Sequence, residues 1–228
     1  MKYFVLTLGL ILSGTVGTDA QAITVSVPGT ANPWLAGMGD GAVSSEDTAP
    51  AQTPILIDLS QFSGAHYLTF SAFGVTDNGG GQQFGSDGDT SGWVVAHTYG
   101  VENGIAASSL PFLSLSGVFL DDSQPNTSAA PTLLNYRELT TQFSSFSAQL
   151  KQPFFIGDGL TGTGIGDVQQ FLIPLNATRL YLGTADGYGW NNNLGALTVA
   201  ISAVPAPANA ALMLAGLAVF GFLSVRKK

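Results

Sequence analysis

The 228-residue sequence contains no cysteine and only two histidines, His66 and His97. Zinc sites need clusters of Cys or His, so this composition argues against one. Neither histidine lies near a nucleophile motif such as G-x-S-x-G, which argues against nucleophilic hydrolysis. Both are interpreted as packed or half-exposed strand residues. Without disulfides, the chain must be stabilised by its core or by metal.

Basic residues are also scarce between the two ends of the chain. Residues 23–203 contain three of them, Arg137, Lys151 and Arg179, against fourteen acidic residues, which gives a net charge of −11. Such a surface repels nucleic acid and anionic lipid, and it suits divalent cations. We therefore predict no nucleic-acid partner.

The start of the sequence is typical of a secretory signal peptide. Lys2 precedes an apolar run over residues 3–12, and small residues follow up to Ala20-Gln21-Ala22. The apolar run is too short to span a bilayer, which takes about 20 residues. We predict a signal peptide over residues 1–22, with cleavage after Ala22.

The end of the sequence predicts a membrane-spanning helix. Residues 208–225 are apolar except for Asn209 and Ser224, and the cations Arg226, Lys227 and Lys228 follow. These cations would lie on the cytoplasmic side. A buried core helix is the alternative, but such a helix on a domain surface would show a polar face, and none is present.

Helical periodicity is scarce between the ends, and short runs typical of β-strands replace it. Residues 23–203 fit one domain, and the runs predict an all-β, antiparallel β-sandwich or jelly roll. A parallel α/β fold would need helices between the strands. The segment 133–150 is left open between a short helix and an edge strand. The nine runs are AITVSVP, PILIDLS, AHYLTFSAFGV, GWVVAHTYG, LSGVFLDD, QPFFIGDG, VQQFLIPL, TRLYLGTA and GALTVAIS.

The segment DGYGWNNNLGALTV, residues 186–199, carries the strongest candidate site. Calcium takes six to eight oxygen ligands from carboxylates, amides and main-chain carbonyls. Residues 186–193 supply one carboxylate and three amide oxygens, and Gly187 and Gly189 allow the loop to curl. An ordinary solvated hairpin turn has the same composition, so both interpretations stay open.

Two other acidic segments are weaker candidates. The loop DNGGGQQFGSDGDTSG, residues 77–92, has three acids among glycines and is interpreted as a flexible acidic loop. Asp121 and Asp122 follow a strand-like run, and neighbouring strand residues point to opposite faces, so they are poorly placed to share a site. A glycosidase, which uses paired acids, is kept as an alternative. We do not expect an enzyme.

The stretch 153–202 resembles the C-terminal half of the PA-IL-like galactophilic lectins. The matching residues are Asp186, Asn192, Asn193 and Gly195, followed by the strand ALTVAI. The resemblance implies a galactose-binding-like β-sandwich in which the Asp and the two Asn ligate calcium and sugar hydroxyls together.

The same resemblance implies that main-chain carbonyls complete the metal shell. They would come from Tyr188 or Gly189 and from an earlier loop near Thr76 and Asp77. Trp190 has two interpretations, because an aromatic ring beside a sugar site can stack on the sugar, whereas the same ring can pack at the base of the loop.

The C-terminal segment 204–228 resembles a PEP-CTERM sorting tag. It has the box Val204, Pro205, Ala206, Pro207, then an apolar helix and a basic end, with Ala206 where Glu is typical. The resemblance implies recognition by an exosortase, cleavage near the box, and a Gram-negative bacterium that makes exopolysaccharide.

Together these observations predict an exported protein of the cell surface or extracellular matrix that binds a glycan or exopolysaccharide through calcium, Ca2+. Before processing, the C-terminal helix would hold it in the membrane. One alternative is a purely structural matrix protein whose Asn-rich loop is only a hairpin. Another is a polysaccharide-processing enzyme with acids from separate strands.

Overall fold

The computed structural model describes residues 22–205. The predicted signal peptide lies outside this range except for Ala22. Ala206, Pro207 and the predicted membrane helix 208–225 also lie outside the described residues. The part of the chain that the structure describes contains no helix with the length and hydrophobicity of a membrane span.

The fold is all-β, as the sequence predicts. The helices of the described range are four short 3-10 turns, Pro33–Leu35, Leu59–Phe62, Pro125–Thr127 and Trp190–Asn192. The strands are β1 Ala22–Pro28, β2 Val43–Ser44, β3 Asp47–Thr48, β4 Ile55–Asp58, β5 Ala65–Asp77, β6 Gln83–Phe84, β7 Val94–Ala96, β8 Ser108–Pro111, β9 Leu115–Leu120, β10 Leu134–Asn135, β11 Ser145–Ser147, β12 Phe154–Phe155, β13 Leu160–Gly162, β14 Ile165–Val168, β15 Gln170–Leu172, β16 Arg179–Thr184 and β17 Leu194–Pro205.

Two large sheets organise the domain. The first has the order β1-β17-β5-β15-β11, with β6 paired to the end of β5, and the second has the order β12-β9-β16-β4. A smaller sheet, β10-β8-β7, and the hairpins β2-β3 and β13-β14 complete the structure. Pairing is antiparallel except for β11 with β15 and β10 with β8, which are parallel.

The main hydrophobic core joins the two large sheets. On β17, the alternating residues Leu197, Val199 and Ile201 are buried, and they share one core with Phe119 and Leu180 of the second sheet. Because strand side chains alternate between faces, this periodicity in the sequence identifies the inner face. Two sheets that share one core are the arrangement of a β-sandwich.

The outer face of the second sheet is covered as well. Val118 and Tyr181 point away from the main core and pack with Trp34 and Trp190 in a second cluster. β9 is therefore buried along its whole length, which explains its nearly continuous apolar run. This second cluster anchors the loop that precedes β17.

Each of the nine predicted runs contains a strand. The open segment 133–150 forms the edge strands β10 and β11 and no helix, so the edge-strand alternative is correct. The predicted flexible loop 77–92 is partly packed, because Ser86 is buried and its Oγ donates to the Ala72 carbonyl at 3.0 Å.

Candidate functional site

The predicted Asn-rich loop connects β16 to β17. β16 ends at Thr184, and β17 begins at Leu194, directly after the last asparagine. Gly189 has a φ of 69°, in the left-handed region that glycine adopts most easily, and the 3-10 turn Trp190–Asn192 follows. The loop thereby folds back so that its two ends meet.

A side-chain hydrogen bond joins the two ends of the loop. Asn193 Nδ2 donates to Asp186 Oδ2 at 3.1 Å and to the main-chain oxygen of Gly29 at 3.1 Å. Asp186 Oδ1 accepts from the N–H of Gly187 at 2.6 Å. The structure therefore brings Asp186 and Asn193 together, with the amide nitrogen rather than the amide oxygen of Asn193 facing the carboxylate.

The amide oxygen of Asn193 lacks a partner. The residue is 2% exposed, and its Oδ1 accepts no hydrogen bond within the described residues. The amide orientation follows from its surroundings, because the reverse orientation would place an oxygen against two other oxygens. A buried acceptor without a donor costs about 1–3 kcal/mol, so a group that pairs with this oxygen would be favoured.

Asp186 is a partly buried carboxylate in an acidic environment. Burial raises the pKa of its carboxyl, and the hydrogen bonds from Asn193, Gly187 and Tyr188 lower it again. The nearby Asp47 charge acts with burial to raise this pKa. The folded protein therefore stabilises the ionised carboxylate of Asp186 less than water does. A cation bound beside this carboxylate would stabilise its charge.

Asp47 anchors the loop from a distant part of the chain. Its Oδ2 accepts from Asn32 Nδ2 and from the N–H of Trp190, and its Oδ1 accepts from the N–H of Asn191, each at 3.0 Å. The residue is 1% exposed, and burial raises the pKa of its carboxyl. Asp47 thus caps the 3-10 turn that holds the asparagines.

A third acid, Glu46, also borders the loop. Its Oε2 lies 3.8 Å from the position that a Cβ on Gly189 would occupy. Sequence reasoning missed both Glu46 and Asp47. The signal that could have found them is the polar run SSED at positions 44–47, in a segment without a strand-like pattern.

The cations of the described range are all engaged elsewhere, on main-chain carbonyls. Lys151 Nζ donates to the carbonyls of Ser128 and Ala129 at 3.0 and 2.6 Å, Arg179 donates to the Asp121 carbonyl, and Arg137 donates to the Val94 carbonyl. Within residues 22–205, no lysine or arginine forms a salt bridge with a carboxylate. These three side chains are therefore held by main-chain carbonyls rather than by the acids around the loop.

Of the two interpretations of Trp190, stacking on a ligand does not fit the structure. Its side chain is 0% exposed, and its Nε1 donates to the Thr184 carbonyl at 2.9 Å. Its ring packs near Trp34 and His97, with centroid separations of 5.6 and 5.8 Å. A ring without an exposed face cannot stack on a sugar, so the core-packing interpretation of Trp190 holds.

The other predicted loop residues lie nearer the solvent. Tyr188 is 53% exposed, and Asn192 is exposed, whereas Gly189 is buried. Among the described residues, no hydrogen bond joins the Asn192 side chain to Asp186 or Asn193. Of the three predicted ligand side chains, Asp186 and Asn193 are therefore in contact, through the amide nitrogen of Asn193, and Asn192 joins neither of them.

Asp77 lies beside the loop without joining Asp186. It pairs with Leu194 in the β5–β17 register, and a Cβ on Gly79 would overlap the main-chain oxygen of Asn192. Asp77 Oδ1 accepts from the N–H of Gly81 at 3.1 Å, which closes its own turn. The carbonyl that lies against Asn193 comes instead from Gly29, on the opposite side of β17.

A buried His–Glu pair adjoins the second cluster. His97 Nε2 lies 2.7 Å from Glu102 Oε2, and the imidazole stacks on Trp34 with centroids 3.7 Å apart. Burial lowers the pKa of His97, although Glu102 favours its charged form. The hydroxyls of Ser44 and Ser45 donate to Glu102 rather than to His97, so the order of a nucleophile, base and acid triad is absent at this pair.

His66, the other histidine, is exposed on β5. Asp121 caps a turn, because its Oδ1 accepts from the N–H of Ser123 at 3.0 Å and from its hydroxyl at 2.5 Å. These hydrogen bonds lower the pKa of Asp121.

In the range 22–205, no group of three or more His, Asp or Glu side chains is arranged to hold a metal ion. A calcium site at the Asn-rich loop would depend on one carboxylate with amide and main-chain oxygens.

No protein-family model matches this chain, and no curated protein matches it significantly. Function is therefore inferred from the geometry of the site and from the sequence patterns described above.

Proposed function

We propose that this protein is an exported, calcium-dependent carbohydrate-binding protein of the bacterial cell surface or extracellular matrix, with its site at the loop 186–193. We also assign its sandwich to the galactose-binding-like, jelly-roll type that the lectin resemblance implies. The observation that carries the proposal is the contact between Asp186 and Asn193, in which a buried amide oxygen has no partner.

The donor set at this contact fits calcium. A carboxylate oxygen of Asp186 and the carbonyl oxygen of Gly29 each lie 3.1 Å from one atom, Asn193 Nδ2. A half-turn of the Asn193 amide would exchange Nδ2 with the unpartnered Oδ1 and bring a third oxygen to these two. Carboxylate, amide and main-chain oxygens are the ligands that calcium prefers.

Charge around the loop supports a cation. Glu46, Asp47 and Asp186 border the same segment, and the lysine and arginine side chains of the described range bind carbonyls elsewhere. Burial raises the pKa of Asp47 and of Asp186, because their ionised forms are less well solvated in the folded protein than in water. A bound divalent cation would stabilise these ionised forms.

The exposed part of the loop supports a sugar ligand. Asn191 and Asn192 present their side chains at the surface, and the Tyr188 ring is exposed beside them. Amides hydrogen-bond sugar hydroxyls, and an aromatic ring can pack on the apolar face of a sugar. Tyr188 is thus our candidate for the stacking role that buried Trp190 cannot have.

Thermal melting with calcium and with EGTA tests the metal site. Extracellular calcium modules bind with Kd values of about 0.1–1 mM, so 10 mM calcium should stabilise the fold by about 1.4–2.7 kcal/mol. For a domain of this size the melting temperature should rise by roughly 3–10 °C. The full chain is used, purified in a detergent without a sugar headgroup.

Matched variants identify where the calcium acts. Asp186→Ala should abolish the calcium-induced rise, whereas Asp122→Ala, which removes an exposed acid elsewhere, should preserve it. A glycan array probed with and without EGTA then tests the carbohydrate ligand. An equal rise in both variants would reject the loop as the metal site.

A purely structural matrix protein is the second candidate. It is favoured by the fact that both oxygens of Asp186 already accept hydrogen bonds, so the loop closes as a hairpin without a ligand. An unchanged melting temperature of the wild-type protein in calcium would support this alternative. We expect no enzymatic activity under either candidate.

Export and sorting are proposed from the sequence. Val204 and Pro205 end β17, where they pair with Tyr67 and Ala65, and Ala206 and Pro207 lie outside the described residues. Deletion of residues 204–207 in an exosortase-containing host should cause the protein to remain in the membrane fraction. Normal release of this deletion variant would contradict recognition by an exosortase.

A further inference from the structure

A polar cleft lies away from the Asn-rich loop. It has a volume of about 320 Å³, and we name it the Asp87 cleft after one of the two acids that line it. A neighbouring depression of about 440 Å³ shares Asp87, Thr90 and Thr163 with it. The polar residues that line the cleft include Asp87, Asp89, Tyr136, Thr141, Thr161 and Thr163.

The Asp87 carboxylate is held in place by the main chain. Its Oδ1 accepts from the N–H of Asp158 at 2.9 Å. Asp158 in turn accepts from the N–H groups of Leu160 and Gly164, at 2.8 and 2.6 Å, and so shapes the turn that carries Thr161 and Thr163. Burial raises the pKa of Asp87, and the Asp158 charge acts in the same direction. The acid is thus fixed before any ligand arrives.

The lining also contains hydrogen-bonding capacity that the protein does not use. Tyr136 is buried and lines the cleft, and its hydroxyl oxygen accepts from the N–H of Phe155 at 3.1 Å. Its own proton has no acceptor among residues 22–205. Thr141, another lining residue, accepts from Gln169 Nε2 at 2.8 Å through its carbonyl, and the Phe143 carbonyl accepts from the same atom at 2.8 Å.

The lining selects for one chemical class of ligand. Carboxylates only accept hydrogen bonds, whereas threonine hydroxyls both donate and accept, and a free tyrosine proton donates. The lining itself contains no Lys, Arg or His, and the acids Asp87 and Asp89 disfavour an anionic ligand, although Arg137 binds the carbonyl of the lining residue Val94 at 3.0 Å. Apolar surface from Pro111 and Leu160 completes the lining. A neutral ligand rich in hydroxyl groups, with apolar C–H faces, satisfies all of these groups.

We propose that the Asp87 cleft binds a neutral sugar residue of a polysaccharide, without calcium. Its volume falls in the range of small-ligand sites, about 300–1,000 Å³. The inference does not depend on the Asn-rich loop, because strand β7 separates the two. Val94 lines the cleft, and Val95 lies 3.2 Å from the position of a Cβ on Gly187. Neighbouring strand residues point to opposite faces, so the two sites face different directions.

Two sugar sites on one domain would make the protein bivalent. Each domain could then link two polysaccharide chains, and linked sites bind far more strongly than either alone. This consequence rests on the proposed function of the loop, whereas the cleft itself does not.

Titration of the full chain with oligosaccharides in EGTA tests the cleft. The probes are cellotetraose, maltotetraose and a β-1,4-galactotetraose, with tetragalacturonate as the anionic counterpart, followed by saturation-transfer NMR and calorimetry. We expect at least one neutral tetrasaccharide to bind and tetragalacturonate not to bind. Failure of all three neutral probes would overturn the proposal.

Variants then locate the binding. Asp87→Asn and Thr163→Val should each weaken binding at least tenfold, and Thr163 is exposed, so its variant should fold normally. Asp186→Ala should bind the sugar as well as wild type does, even if the calcium response at the loop is lost or was never present. Binding that disappears in Asp186→Ala and persists in both cleft variants would overturn the proposal. A calcium-induced rise in melting temperature that only Asp87→Asn removes would also overturn it, because the cleft would then be a cation site.

Discussion

Replacing Asp47 by alanine tests whether this buried acid anchors the Asn-rich loop. The substitution leaves three donors without their acceptor, Asn32 Nδ2 and the N–H groups of Trp190 and Asn191. Asn32 and Trp190 are fully buried. Each buried donor without a partner costs about 1–3 kcal/mol, so we expect these two to lower the free energy of unfolding by about 2–6 kcal/mol, with a smaller share from the exposed residue Asn191.

The loss is limited by the cost of the acid itself. Burial raises the pKa of Asp47, which means that its ionised form is destabilised in the folded protein, and alanine removes that cost. The lower end of the range is therefore expected at pH 7. With a urea dependence of about 1–3 kcal/mol per molar, a loss of about 2 kcal/mol should lower the unfolding midpoint by roughly 0.7–2 M.

Urea unfolding followed by tryptophan fluorescence measures this change, because Trp34 and Trp190 lie in the cluster that Asp47 holds. Asp40→Ala is the matched control, since Asp40 is an exposed acid a few residues away, and its loss should change stability by less than about 0.5 kcal/mol. A loss below 1 kcal/mol in Asp47→Ala would refute the view that these hydrogen bonds anchor the loop.

Three further predictions concern other parts of the structure. Burial lowers the pKa of His97, so the unfolded chain takes up a proton more readily than the folded one, and stability should fall as the pH drops below about 6.5. His97→Gln should make the free energy of unfolding, measured by urea melts, depend less on pH in this range. An unchanged pH dependence in the variant would contradict the role of His97. A Cβ at Gly159, which has a φ of 87°, would overlap the Phe70 carbonyl, so Gly159→Ala should cost more than Gly41→Ala, where φ is 83° and no atom lies within 4 Å. If the two variants lost the same amount of melting temperature, the overlap with the Phe70 carbonyl would contribute nothing beyond the strain of the positive φ. Trp190→Phe removes a buried hydrogen bond and should cost about 1–3 kcal/mol in chemical denaturation, whereas the same change at half-exposed Trp93 should be nearly neutral.

Much of the fold could be predicted from local patterns. The alternation of Leu197, Val199 and Ile201 identified a strand and its buried face, because strand side chains alternate with a period of two. The segment 133–150 could not be decided from its sequence. Its two short strands are edge strands, and pairing with neighbours such as β15 and β8 establishes them rather than any periodicity of their own.

The candidate site was predicted in part. The pattern of Asp186, Asn192 and Asn193 placed the relevant residues in one loop, and the structure joins the first and the last of them. The acids Glu46 and Asp47 could not be assigned to the site from the sequence, because they belong to a turn that is distant from the loop along the chain. Trp190 was left open because an aromatic residue in a loop has the same sequence signature whether it packs or binds.

The sequence by itself determined the class of the protein, since its strand periodicity, its lack of cysteine and its excess of acids are properties of single residues and their neighbours. Only the tertiary structure decided how the loop is used. The Gly29 carbonyl, 164 residues from Asn193, holds the amide nitrogen toward Asp186 and leaves the amide oxygen without a partner. Trp34, packed on the outer face of the second sheet, gives Trp190 a buried place. Contacts between residues so far apart in the chain leave no periodic trace in the sequence, because they depend on how the sheets pack.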